Sequence, residues 1–135
     1  MSNFKSFQVI YILTFVFFFS ISMISCNGDD EASTTLQRSI KYEITGNFSG
    51  KMVIVYTNAV GAAESDEGIL LPWSKEVYLE SVNTAAFGAQ SSMVGTPGQT
   101  ATAKILVNGE VKRTQTSTAN EQGHITFPNL VYTFQ

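Results

Sequence analysis

The 135-residue chain has one cysteine, one histidine, one tryptophan and three prolines, and each scarcity closes off a class of protein. A single Cys26 excludes a disulfide framework within the chain. A single His124 leaves at most one imidazole for acid–base or metal chemistry, and no Gly-x-Ser-x-Gly elbow, phosphate loop or His-x-x-x-His pair accompanies it. Only eight Lys and Arg stand against eleven Asp and Glu. A net charge of −3 without clustered cations excludes a nucleic-acid surface. No segment shows a convincing helical period. The length allows one folded domain.

What the chain does have is unevenly placed. Residues 1–25 hold six of the ten Phe and none of the ten Gly or three Pro, and Lys5 is their only charged side chain. Phe7–Ile24 is an uncharged, mostly apolar run of 18 residues behind a short positive end, the layout of a secretory signal. As a helix it would span about 27 Å against a hydrocarbon core of roughly 30 Å, so an uncleaved anchor is the competing reading. Cys26 decides between them. It stands where a signal is cut, and Met23-Ile24-Ser25-Cys26 resembles a bacterial lipobox, in which the thiol receives a diacylglycerol and the peptide is cleaved before it. Two or three acyl chains, at about 0.8 kcal/mol per buried methylene, hold a protein to a bilayer firmly. The sequence therefore predicts a lipoprotein signal peptide over 1–25, with Cys26 as the lipidation site and the membrane as a partner through it.

Residues 26–38 read as a flexible acidic linker. Asn27-Gly28-Asp29-Asp30-Glu31 resembles the export signal of surface lipoproteins of Bacteroidota, and the stretch has no period that would bury a face. From Cys26 to Ser39 the chain extends roughly 45 Å at most. The expected location is the cell envelope, anchored to the outer membrane on its periplasmic or its outer face.

Residues 39–135 read as an all-β, immunoglobulin-like antiparallel sandwich of about seven strands. Ile40, Tyr42 and Ile44 alternate with Lys41, Glu43 and Thr45, the pattern of a strand with one buried face. Met52-Val53-Ile54-Val55-Tyr56 is apolar on both faces, which predicts a central strand. Asn58–Gly68 reads as a polar loop, and Val77 to Val82 as part of a third strand. Ala85–Val94 is a weaker strand of small residues around Phe87. Asn108-Gly109 between Ala101–Val107 and Glu110–Thr114 predicts a hairpin with a type I′ turn. His124–Phe134 is a last strand, and Pro128 within it suits an edge or a bulge.

Tyr42-Glu43-Ile44-Thr45-Gly46, Val53-Ile54-Val55-Tyr56-Thr57-Asn58-Ala59, Leu71-Pro72-Trp73-Ser74-Lys75 and Lys104-Ile105-Leu106-Val107-Asn108-Gly109-Glu110-Val111 follow one another in that order. Together they resemble the MmpS family, small membrane proteins that accompany MmpL transporters of the RND type. The likeness covers residues 40–127. It implies an extracytoplasmic β-sandwich tethered at its N-terminus, with an RND-type transporter as partner and a lipid or other small molecule as cargo. The chain departs from the family twice. Where many members carry a pair of cysteines, the matching positions are Ala103 and Ile125, so packing alone must hold those strands. A lipidated Cys26 takes the place of the usual transmembrane anchor.

Candidate chemistry beyond this is sparse. His124 is expected to be structural or solvent-exposed. Glu64, Asp66 and Glu67 form an acidic cluster that suits a solvated loop better than a calcium site. Trp73 is expected in the core, with an exposed ligand platform as the alternative. Lys112-Arg113 makes a poor anionic patch and a good edge-strand guard. Neither cofactor nor catalysis is expected. The reading is a non-catalytic accessory or binding domain, and its rival is a surface-exposed binding or adhesion lipoprotein with no transporter partner.

Overall fold

The computed structural model describes residues 37–135. Cys26, the signal segment and the linker up to residue 36 lie outside the described residues. The described chain is all β: β1 Arg38–Gly46, β2 Met52–Thr57, β3 Ala63–Ile69, β4 Trp73–Leu79, β5 Thr84–Ser91, β6 Thr100–Val107, β7 Glu110–Thr118 and β8 Leu130–Thr133. They form two four-stranded antiparallel sheets, ordered β4-β1-β6-β7 and β3-β2-β5-β8.

The expected β-sandwich is present, with eight strands rather than about seven. The added strand is β3, which the sequence presents as a polar loop. Its segment Ala63-Glu64-Ser65-Asp66-Glu67-Gly68-Ile69 has no apolar alternation, yet its backbone pairs with β2 from Thr57↔Ala63 to Met52↔Ile69 around a bulge. It is an edge strand. Backbone pairing to β2 holds it, so composition does not reveal it.

Alternation builds the core. Ile40, Tyr42 and Ile44 of β1 face Met52, Ile54 and Tyr56 of β2 across the gap between the sheets, with Phe87 of β5 and Ile105 of β6 beside them, all essentially buried. Ala103 and Ile125, the positions matched to the family's cysteines, are both buried here. Small and branched side chains fill that part of the core.

One buried hydroxyl ties the layers together. The Tyr42 hydroxyl donates to the Thr57 carbonyl at 2.9 Å, and burial pushes its pKa up to about 12. The Thr57 hydroxyl in turn accepts from the Ala86 amide at 2.9 Å, continuing the link between β2 and β5 past their last backbone pair, Tyr56↔Phe87.

The predicted hairpin is present. Asn108 and Gly109 have φ of 50° and 84°, the two positive values of a type I′ turn. Asn108 also fastens this turn to the start of β1, since its amide donates to the Ser39 carbonyl at 2.8 Å and its Oδ1 accepts from the Ser39 amide at 3.0 Å. The closing segment makes one bridge, Gln90↔Thr126, passes Pro128 and then forms β8 at the edge of its sheet.

Candidate binding face

The residues singled out by chemistry are drawn into the fold's own contacts. His124 is exposed, with its Nδ1 3.3 Å from the Ser91 hydroxyl. That hydroxyl also accepts from the Ile125 amide at 3.1 Å, so the pair fastens the end of β5 to the returning chain. Trp73 is half-buried at the start of edge strand β4, its ring stacked on Phe87 at 6.0 Å and tilted against Tyr56 at 5.8 Å. It is part of the aromatic core.

The acidic cluster is divided. Glu64 accepts from the Tyr56 hydroxyl at 2.7 Å and lies 3.8 Å from Lys75 of the opposite sheet. The Tyr56 bond first, then Asn58 and the charge of Lys75, hold the Glu64 carboxyl below its ordinary pKa. Contact with Tyr56 is also the main cause of the raised Lys75 pKa. Glu64 thus closes the β3/β4 flank of the sandwich. Among the described residues, no group of three or more His, Cys, Asp and Glu side chains is placed to hold a metal ion.

Lys112 and Arg113 are similarly engaged. Lys112 pairs with Glu110 at 2.7 Å. Arg113 Nε donates to the Val131 carbonyl at 2.9 Å, and its guanidinium lies 5.5 Å over the Tyr132 ring. Arg113 therefore bridges edge strand β7 to edge strand β8 of the other sheet.

What remains is a face without chemistry of that kind. On the outer side of β3-β2-β5-β8, the outward positions are Val53, Val55 and Thr57 of β2 and Thr84, Ala86, Gly88 and Gln90 of β5. Val131 and Thr133 continue it on β8. None of these positions carries a charge; β3, whose Ser65 pairs with Val55, adds the exposed Glu67 at the edge of the face. Val55 is 42% exposed and Val131 45%, so no other part of the described chain covers them.

Two adjoining hollows lie on this face. One, of about 190 Å³, is lined by Val53, Gly88, Gln90, Thr126 and Asn129 among others. The second, of about 240 Å³, lies toward Thr57, Gly61, Ala63 and Ala86. Val55, Gly88 and Asn129 border both. Small side chains on β5 make the floor low. At Gly88 a β-carbon would stand 2.6 Å from the Asn129 Oδ1, so glycine lets the 126–129 segment lie close across the sheet.

The opposite outer face, on β4-β1-β6-β7, differs in carrying charge, although Tyr78 and Val111 are exposed on it as well. Glu43 pairs with Lys41 at 3.0 Å and with Lys104 at 3.5 Å, and Ser39 hydrogen-bonds Glu76 beside them. The hydrogen bond from Lys41 is the largest cause of a lowered Glu43 pKa. Thr102 and Thr116 bond to each other at 2.8 Å. Charges there are matched within the sheet.

The sequence carried one signal for the open face. Val53 and Val55 make β2 apolar on both sides, which predicts a covering layer on each. The core supplies one. Ala86 and Gly88 carried none, because their small size lowers strand propensity without saying which way they point.

A family model described as Mycobacterium membrane protein matches residues 6–127. The match runs through the apolar segment Phe7–Ile24 as well as the sandwich as far as Phe127. No curated protein matches the chain. On the strength of that family match, the chain belongs to the MmpS-type family, small accessory membrane proteins associated with MmpL transporters.

Proposed function

We propose that the protein is a lipid-anchored, extracytoplasmic, non-catalytic domain that assists an RND-type transporter of the MmpL kind in exporting a lipid or other small cargo. The family match carries this reading. The exposed Val55 and Val131 among the uncharged outward positions of β2, β5 and β8 support it, since exposed apolar surface marks a place of association. Crosslinking of the full chain in cells tests the partner: recovery of an RND-type transporter is expected, and its consistent absence would end the proposal.

The anchor is assigned to Cys26 because it alone supplies a thiol and follows Ser25 at the end of the apolar run. Cys26→Ala is expected to abolish labelling by fatty acid and to leave a precursor of full length. Labelling that persists in this variant would remove the assignment. The acidic run Asp29-Asp30-Glu31 favours a second reading, a surface-exposed binding lipoprotein. Protease treatment of intact cells separates the two, because a periplasmic accessory domain survives and a surface domain is degraded.

A further inference from the structure

The geometry points to the outer face of β3-β2-β5-β8 as the surface on which this domain docks against an uncharged, apolar projection of the transporter's extracytoplasmic part. The inference rests on the transporter reading above and adds to it which face is used and what kind of surface meets it.

Three observations carry it. First, β2 has the composition of a strand covered on both sides, and its outer side is covered only in part: Ile54 is fully buried and Thr57 is buried at the strand's end, whereas Val55 between them is 42% exposed. Second, the outward positions of β2, β5 and β8 lack charge, while the outer face of the other sheet holds Lys41, Glu43 and Lys104 in mutual pairs. Burying the charged face would strip water from ions already partnered and gain little. Covering the uncharged face carries no such cost. Third, the hollows of about 190 and 240 Å³ on either side of Val55 give the face relief.

Relief separates a protein partner from a lipid surface. A bilayer takes up protruding apolar side chains, and its fluid acyl chains offer no fixed knob matched to a hollow. Side-chain knobs from a packed protein surface do enter hollows, and small floor residues such as Ala86 and Gly88 permit close approach.

The tether makes a modest face sufficient. The folded part begins within roughly 45 Å of Cys26 at full extension of the intervening chain, so the domain searches a thin layer over the membrane. Confinement of both partners to one membrane raises their effective concentration above that of free molecules. A single uncharged sheet face can then hold a complex that would not form between free molecules.

Photocrosslinking from the full-length protein in its own cells tests this. A photoreactive residue is placed singly at Val55 or Ala86 on the open face, and at Thr45 or Thr102 on the opposite one, with adducts identified by mass spectrometry. The expected result is a transporter adduct from Val55 and Ala86, at least about tenfold above that from Thr45 and Thr102, as for positions inside and outside an interface. Transporter adducts from Thr45 and Thr102 alone would overturn the docking face and leave the transporter reading standing. Lipid adducts alone from Val55 and Ala86 would overturn it in favour of the bilayer, provided that a transporter is captured from another position. Absence of transporter adducts from all four positions would remove both the transporter reading and this inference.

Discussion

Glu43 on the outside of one sheet stands 3.0 Å from Lys41 and 3.5 Å from Lys104, whereas the outside of the other presents Val53, Val55, Ala86 and Gly88 with no charge among them. Both sheets contribute to one core, and both have four strands. Their outer faces therefore differ for a reason other than folding. A solvated sheet face normally alternates to polar residues, as Lys41, Glu43, Thr102 and Lys104 do on the first, where Tyr78 and Val111 are exposed exceptions. The second keeps apolar residues where the fold makes no use of them.

The strongest perturbation should come from the link that the two sheets share. Tyr42→Phe keeps the ring and removes the hydroxyl that reaches the Thr57 carbonyl. A buried acceptor left without its donor costs about 1–3 kcal/mol, so the urea midpoint should fall with an unchanged slope. An unchanged midpoint would show that the carbonyl finds another donor.

Next comes the open sheet's own stitch. Thr57→Val removes the hydroxyl that accepts from the Ala86 amide, and a loss of about 1 kcal/mol is expected. Amide exchange at Ala86 should accelerate while that at Ile105 tracks only the global change. Equal acceleration at both would mean that the contact is not local.

A smaller effect is expected on the charged face. Glu43 has a lowered pKa, caused first by Lys41, so its contribution is full above the unfolded carboxyl value of about 4.3 and is lost as pH falls through the lower folded value. Glu43→Gln should cost up to about 1 kcal/mol at neutral pH, and the difference from the parent should vanish in acid. A gap that persists in acid below the folded Glu43 value would assign the loss to packing instead.

The smallest change belongs to the open face. Val55→Thr should alter stability by no more than about 0.5 kcal/mol, because the side chain is 42% exposed and lies outside the core. A large loss would mean that this face serves the fold, and the contrast between the two faces would lose its functional meaning.

Much of this architecture was legible in the residues. Ile40, Tyr42 and Ile44 give β1 its buried face, and Asn108-Gly109 gives the hairpin turn. Strand β3 was not, because its inward Glu64 satisfies itself with Tyr56 and Lys75 and leaves no apolar alternation to read. The open face was half legible. Val53 and Val55 show apolar residues on both sides of β2, but only the pairing order, with no more than Asn129 reaching over Gly88 on the outer side, shows that Val55 lacks a full cover.

The most direct measurement compares two single substitutions in the full-length protein reconstituted with its transporter. Val55→Lys puts an unpaired charge into the open face, and Thr102→Lys puts the same charge on the face that already carries ions. Burying an unpaired charge in an interface costs at least about 2 kcal/mol, so Val55→Lys should weaken the complex more than tenfold, with Thr102→Lys within about twofold of the parent and thermal midpoints unchanged. Equal weakening by both, or weakening by Thr102→Lys alone, would contradict the assignment of the uncharged face to the partner.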